Sequence, residues 1–296
     1  MSSGTPPHDD AHEWRNYLRE MQRADRAAAV AARYELQSGQ PPESMRPFRE
    51  RMAALHRQME RRHRACARLY RLHNQRLQRW SDEGAEAERP PFMSAVADDL
   101  GLDSAAVILF DEQWQEVLTA ASDARSRAAY DLEATVGCGP SRDVLGGLDY
   151  VLVGEAELTD RWPEYGSAAW DLGIRSVLAV PLAAGPGRLG ALCAYSEHAR
   201  LPETAVPAAG HLADVLANEV LLHTDRTDTD GVTPRGALYD DADYWATVNQ
   251  AVGMVAVQSS CSVDTALLLI RARAFAEGVP LPELARRIVE ERYLLC

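Results

Sequence analysis

Met45, Phe48, Met52, Leu55, Met59, Cys66, Leu69, His73 and Trp80 recur at alternating steps of three and four, with Arg62 and Arg76 filling the two gaps in the series. Only a helix keeps such a series on one side, since a strand would throw alternate residues to opposite faces. The segment is therefore read as one long helix of about ten turns. Ser44 is its expected N-cap, Pro47 is tolerated in its first turn, and Ser81 to Pro91 ends it. Upstream, Trp14, Leu18, Met21, Ala28 and Ala32 mark a first helix over Glu13 to Leu36, stopped by Gly39 to Pro42. Two such helices predict an antiparallel hairpin or a dimeric coiled coil. Arg61, Arg62, Arg64, Arg68, Arg71, Arg76 and Arg79 cluster on the second. That cluster reads first as a solvated face, and second as a surface for phosphates or an acidic partner.

Charge is unevenly shared along the chain. Residues 1–89 hold seventeen arginines against thirteen acids, the remainder fourteen against thirty-one, and there is no lysine. Every basic contact to phosphate or carboxylate must come from arginine's planar fork or from histidine. At 296 residues and 46% apolar composition, more than one folded unit is expected. No apolar run is long enough to span a bilayer and residues 1–10 are polar, so a cytoplasmic protein without membrane contact is expected. Cys66, Cys138, Cys193, Cys261 and Cys296 are scattered singly and read as reduced thiols.

From Phe92 the period changes. Phe92 to Leu100 predicts a short helix, Ala105 to Phe110 a buried strand, and Glu116 to Ala121 its antiparallel partner across a polar turn at residues 111–115. A helix-loop segment through Leu132 to Leu148 follows. Further strands are expected at Tyr150 to Val153, Ser176 to Leu182 and Leu189 to Tyr195, the last two joined by Ala184-Gly185-Pro186-Gly187. Val206 to His223 closes the unit as an amphipathic helix, giving an α+β domain with an antiparallel sheet flanked by helices. Gly137-Cys138-Gly139-Pro140-Ser141, Tyr150-Val151-Leu152-Val153, Arg161-Trp162-Pro163, Gly173-Ile174-Arg175-Ser176-Val177, Val180-Pro181-Leu182 and Gly190-Ala191-Leu192 with Tyr195 occur in that order. This series resembles the GAF domain of GAF-ANTAR regulators. The resemblance implies a sensory domain and a small-molecule ligand of unknown identity in its pocket.

Residues 225–243 are rich in Asp, Thr and Gly and read as a linker. Three short helices are expected beyond it. The first carries Trp245, Val248, Val252 and Val255. The second, behind Ser262 as N-cap, carries Val263, Leu267, Ile270 and Ala274 and ends at Gly278. The third opens at Leu281-Pro282 and turns Leu284, Ile288 and Val289 inward. Asn249-Gln250-Ala251-Val252-Gly253-Met254-Val255, Cys261-Ser262-Val263-Asp264-Thr265-Ala266, Arg271-Ala272-Arg273-Ala274-Phe275-Ala276 and Leu281-Pro282-Glu283-Leu284-Ala285 together resemble the ANTAR RNA-binding antitermination module. Val252 stands where many such modules have lysine, and the charge of this unit is near balance. The resemblance implies a homodimer that binds paired hairpin loops in nascent messenger RNA. Asn249, Gln250, Arg271 and Arg273 are the expected RNA-facing residues, Arg286 and Arg287 the phosphate contacts, and Ala251 and Gly253 the points of close backbone approach. Tyr293 is assigned to packing.

The expected division is a disordered tail over 1–12, a helical hairpin or coiled coil over 13–89, a GAF domain over 90–224, a linker over 225–243 and a three-helix ANTAR domain over 244–296. Catalysis is not expected. Cys138 in its Gly-Cys-Gly-Pro loop has no base placed by a motif, since His198 and His211 carry none. A single histidine such as His211 does not define a haem site either, and no metal or cofactor motif is present. Two functions follow. One is a signal-responsive antitermination regulator. The other is a protein-interaction and dimerisation regulator without RNA binding, which uses the basic N-terminal helix.

Overall fold

A computed structural model describes residues 9–84, 88–111, 116–185, 187–224, 238 and 243–293. The chain forms two compact units, residues 1–90 with 214–221 and residues 91–213 with 222–296. The tail expected over 1–12 lies outside the described residues as far as residue 8, and the linker expected over 225–243 lies outside them except at residues 238 and 243.

The first unit is a helical hairpin of α1 (Asp9–Ser38) and α2 (Arg46–Asp82), joined through a short helical turn at Glu43–Met45. Its packed face departs from the expected one. Trp14, Leu18, Met45, Phe48 and Leu55 are 40 to 48% exposed, whereas Glu13, Asn16, Glu20, Ala24, Ala27 and Ala31 of α1 are buried, as are Ala53, Glu60, Ala67, Tyr70, Asn74 and Leu77 of α2. Only the later part of the predicted series, Cys66, Leu69 and His73, is buried. Alanine lets two helices approach closely, and buried Glu20 and Glu60 are tolerated because each has a charged partner. Glu20 is 2.6 Å from Arg23 and, across the hairpin, 2.7 Å from His63 Nδ1. Glu60 holds Arg57 at 2.8 Å and Arg64 at 2.9 Å, while Arg57 places a two-pronged fork on Glu35 with both contacts at 2.8 Å. Burial, with Arg89 and Arg76 nearby, pushes His73 down to about 4.

The second unit is built on a six-stranded antiparallel sheet in the order β3-β4-β5-β1-β2-β6. After α3 (Met93–Leu100) come β1 (Ser104–Phe110) and β2 (Glu116–Ala121), then α4 (Ala124–Val136), α5 (Pro140–Leu145) and β3 (Val151–Val153). Next are α6 (Glu155–Arg161), α7 (Pro163–Asp171), β4 (Ser176–Ala184), β5 (Gly187–Ser196) and α8 (Ala205–Thr224). The expected strands all form within two residues of their predicted ends. Asp123 and Ser126 make a reciprocal capping box that starts α4, and Gly137 in the left-handed conformation ends it. Gly190 is needed for sheet packing, because a Cβ there would lie 2.0 Å from the Ile108 carbonyl oxygen. The later part of α8 belongs to the first unit, where Arg62 donates to Asn218 at 3.0 Å.

The expected linker does not simply tether the C-terminal helices. Its last residue and the next form β6 (Asp243–Tyr244), which pairs with β2 through Thr119↔Asp243 and Leu118↔Tyr244. Then follow α9 (Ala246–Gln258), α10 (Val263–Glu277) and α11 (Leu281–Glu290). Ser262 caps α10 by accepting from Thr265 N at 3.2 Å, Gly278 in the left-handed region ends it, and Pro282 sits in the first turn of α11. Val248, Val252, Val255, Ile270, Ala274, Leu284 and Ile288 turn inward as expected, whereas Val263 is exposed. The buried side chains of these helices are continuous with those of the sheet domain.

Candidate functional site

The residues expected to face RNA fall into three settings. Asn249, Gln250 and Gly253 are exposed on one side of α9, together with Ala246 and with Val257, which is 81% exposed. A Cβ at Gly253 would meet nothing within 4 Å. Ala251 lies on the opposite side of α9, its side chain fully buried with those of inward-facing Val248 and Val255.

The arginines of the second group are held by acids of α10 and α11. Arg273 donates to Glu277 and to the Tyr293 hydroxyl, and Arg287 reaches the other Glu277 oxygen at 3.0 Å. Their guanidinium carbons lie 5.7 and 4.9 Å from the centre of the Tyr293 ring, whose hydroxyl donates to Glu277 at 2.8 Å. Tyr293 thus braces a small charged cluster. Arg286 spans Glu283 at 2.8 Å and Glu290 at 3.0 Å. These are solvent-facing pairs that add little to stability and are open to exchange with a competing anion.

Arg271 is different. Its Nη2 lies 3.5 Å from Glu116 Oε1, the first residue of β2, and the same oxygen accepts from Arg142 Nη2 of α5. Glu116 is 4% exposed and its two arginine partners are half-buried, so the carboxylate of this charged knot is enclosed where α10 meets the sheet domain. Burial and the neighbouring Arg142 guanidinium pull Arg271 below the usual arginine range. Trp245 closes the same junction. Its Nε1 donates to Thr119 Oγ1 at 3.2 Å, its backbone N–H to Val117 at 3.1 Å, and its ring meets Tyr130 of α4 edge-on at 5.7 Å. Beside it a cleft of about 310 Å³ opens, lined by Thr119, Arg127, Asp131, Trp245, Arg286 and Glu290. Burial raises Asp131 to about 6 despite Arg127.

A second polar centre lies inside the sheet domain. Glu133 of α4 is fully buried, and its Oε1 accepts from Ser141 Oγ at 2.7 Å and from Arg142 N at 3.0 Å. Gly139 makes this approach possible, since a Cβ there would stand 2.6 Å from Glu133 Cγ. Burial lifts the carboxyl to about 7. Its Oε2 and the facing Tyr165 and Tyr195 hydroxyls are buried without a well-formed hydrogen bond. Cys193 lies in the same region, its thiol pushed well up by burial. Cys138 is likewise raised by burial and then by Glu164, Glu133 and Asp143, which holds its thiol protonated and so unlike an activated nucleophile.

Neither Glu116 nor Glu133 was among the expected functional residues. The available signal was a carboxylate at the edge of a strand that is otherwise apolar, and another on the inward side of a helix preceding Gly-Cys-Gly-Pro. Among the described residues no group of His, Cys, Asp and Glu is placed to hold a metal ion, and no single helix is long and apolar enough to cross a membrane.

A six-stranded antiparallel sheet flanked by helices, with a polar centre enclosed between sheet and helices, defines an α+β domain of the sensory kind. Residues 90–220 are a GAF domain: that family's model matches this stretch, which holds β1 to β5. Among solved structures the chain is similar to the phycoerythrobilin-bound GAF domain of a cyanobacterial phytochrome, at 15% identity, 58% of this chain, 98% of that one and a TM-score of 0.36. It is also similar to the GAF domain of an Acinetobacter phosphoenolpyruvate-protein phosphotransferase, at 13% identity, 52% of this chain, 95% of that one and a TM-score of 0.30. No curated protein matches the chain.

Proposed function

We propose that this chain is a signal-responsive transcription antitermination regulator, in which the GAF domain governs a C-terminal ANTAR-type unit that binds tandem hairpin RNA as a homodimer. The observation that carries this reading is the uncovered side of α9, where Asn249, Gln250 and Gly253 lie in line. Glycine in mid-helix costs about 1 kcal/mol relative to alanine. Gly253 is in open space, and nothing among the described residues requires the missing side chain. Close approach by an outside partner accounts for it, and the amides beside it suit the edges of unstacked bases. Arg273, Arg286 and Arg287 supply exchangeable cations within the same unit. A small-molecule effector of the GAF domain is supported by the unsatisfied buried polar atoms around Glu133, which a ligand or enclosed water would complete.

Titration of the full chain with tandem-hairpin RNA at several salt concentrations tests the reading. Wild type is expected to bind with an affinity that falls as salt rises. Gly253→Leu is expected to weaken binding about ten-fold or more by blocking the approach, with unchanged helix content. Equal binding by the variant, or none by wild type at low salt, removes the proposal.

A second reading rests on α2, where Arg61, Arg64, Arg68, Arg71 and Arg79 are exposed. They would dock an acidic protein without RNA. Partners that survive nuclease but are lost when residues 1–89 are deleted favour it over the first.

A further inference from the structure

Of the arginines on the C-terminal helices, Arg271 is the one whose acidic partner lies outside those helices. Arg273, Arg286 and Arg287 pair with acids on α10 and α11, so their pairs survive any movement of the C-terminal unit as a body. The Arg271 pair with Glu116 does not. Its burial also sets it apart, because a buried charge that loses its partner costs several times what a surface pair contributes.

We propose that Glu116 is a latch: it holds α10 against the GAF domain and withholds the Arg271 guanidinium from polyanions, so that the C-terminal unit must shift before Arg271 can meet an RNA phosphate. The polyanion half of this inference rests on the RNA reading above; the docking half stands on the geometry alone. Three features support it. Glu116 Oε1 is shared by two guanidinium groups, so the knot keeps a carboxylate partner for Arg142 when Arg271 leaves. The Nε atoms of Arg142 and Arg271 are both buried without a hydrogen-bond partner, which leaves Arg271 incompletely satisfied in the docked arrangement. Arg271 makes a charged tie from α10 across a junction otherwise held by neutral contacts that include Trp245 to Thr119 at 3.2 Å and to Val117 at 3.1 Å, the pairing of β6 with β2 and a shared apolar core. A phosphate offers Arg271 the two-pronged pairing that Glu116, already engaged by Arg142, does not. Docking and phosphate binding therefore compete for one guanidinium, and an effector that favours either arrangement shifts the other.

The test compares the full-length wild type with Glu116→Gln and Arg271→Gln. By amide hydrogen exchange, α10 and the turn at Trp245 are expected to exchange about ten-fold faster in both variants, while β1 and β5 keep their protection. Arg271→Gln leaves Glu116 paired with Arg142, so it reports on the latch even if Glu116→Gln loosens the whole domain. Unchanged exchange of α10 in Arg271→Gln overturns the latch. In titrations with tandem-hairpin RNA, Glu116→Gln is expected to bind about ten-fold more tightly than wild type. Equal affinity overturns the proposal that Glu116 withholds Arg271. Faster exchange without RNA binding by any of the proteins supports the docking contact and removes the RNA reading instead.

Discussion

Glu133 brings burial, hydrogen bonding and protonation together in one side chain. The fold raises its carboxyl from 4.5 to about 7, which means the folded state favours the protonated acid. Its contribution to stability is whole below about 4.5, shrinks as pH climbs, and is gone above about 7, with a slope approaching 1.4 kcal/mol per pH unit between. Glu133→Gln, which keeps the shape and cannot ionise, is expected to be more stable than wild type above pH 7, with the gap closing toward pH 5. Urea unfolding across that range checks it, and a gap that does not depend on pH would show that Glu133 does not titrate there. His73 acts in the opposite direction. Held down to about 4, it contributes stability that is present above 6.5 and lost as pH falls toward 4, so only the difference between variant and wild type isolates Glu133. Single residues with a local task were legible in the sequence: the Ser262 cap and the Gly278 terminator act within one helical turn. Glu116 was not, because its partner Arg271 lies 155 residues away and no spacing rule reaches so far.

At the level of elements, the five main strands and the three C-terminal helices followed from the periodicity, while the short helices α6 and α7 and the face by which the long hairpin packs did not. Large apolar side chains are the usual sign of a packed seam, yet here the seam is built of alanine and ion-paired glutamate. A hydropathy pattern cannot mark a Glu20 as buried without knowing that His63 stands opposite, nor a Glu60 without knowing that Arg57 and Arg64 of its own helix fold onto it. The observed packing makes opposite forecasts for two substitutions. Ala31→Leu, at a fully buried position, is expected to cost the hairpin about 1–3 kcal/mol through overpacking. Trp14→Ser, at a position 47% exposed, is expected to cost about 0.5 kcal/mol. Thermal unfolding of the two variants ranks them; the reverse order would return the seam to the large side chains.

Across the whole molecule, the order of the hairpin, the five main strands and the three C-terminal helices could be read in advance, but the helices Glu155–Arg161 and Pro163–Asp171 and the way the C-terminal helices join the sheet could not. A tract rich in Asp, Thr and Gly reads as a tether, and its last residue with the one after it are too few to register as a strand. The pairing of Asp243 and Tyr244 with β2 is dictated by what β2 otherwise lacks, a neighbour on its outer side. Sheet margins left bare are templates for other chains, and natural proteins cover, shorten or charge them. Here a two-residue cover does that duty for the strand that also carries Glu116. Whatever undocks the C-terminal helices thus risks uncovering a row of free amides and carbonyls, and a chain cut before Asp243 should stick to copies of itself in proportion to its concentration. Light scattering would reveal that stickiness, and a truncated protein that stayed dispersed would mean the margin is guarded by other means. By this reasoning the shortest strand of the fold protects its solubility, and any signal that lifts the helices must either leave that strand in place or expose the sheet only briefly.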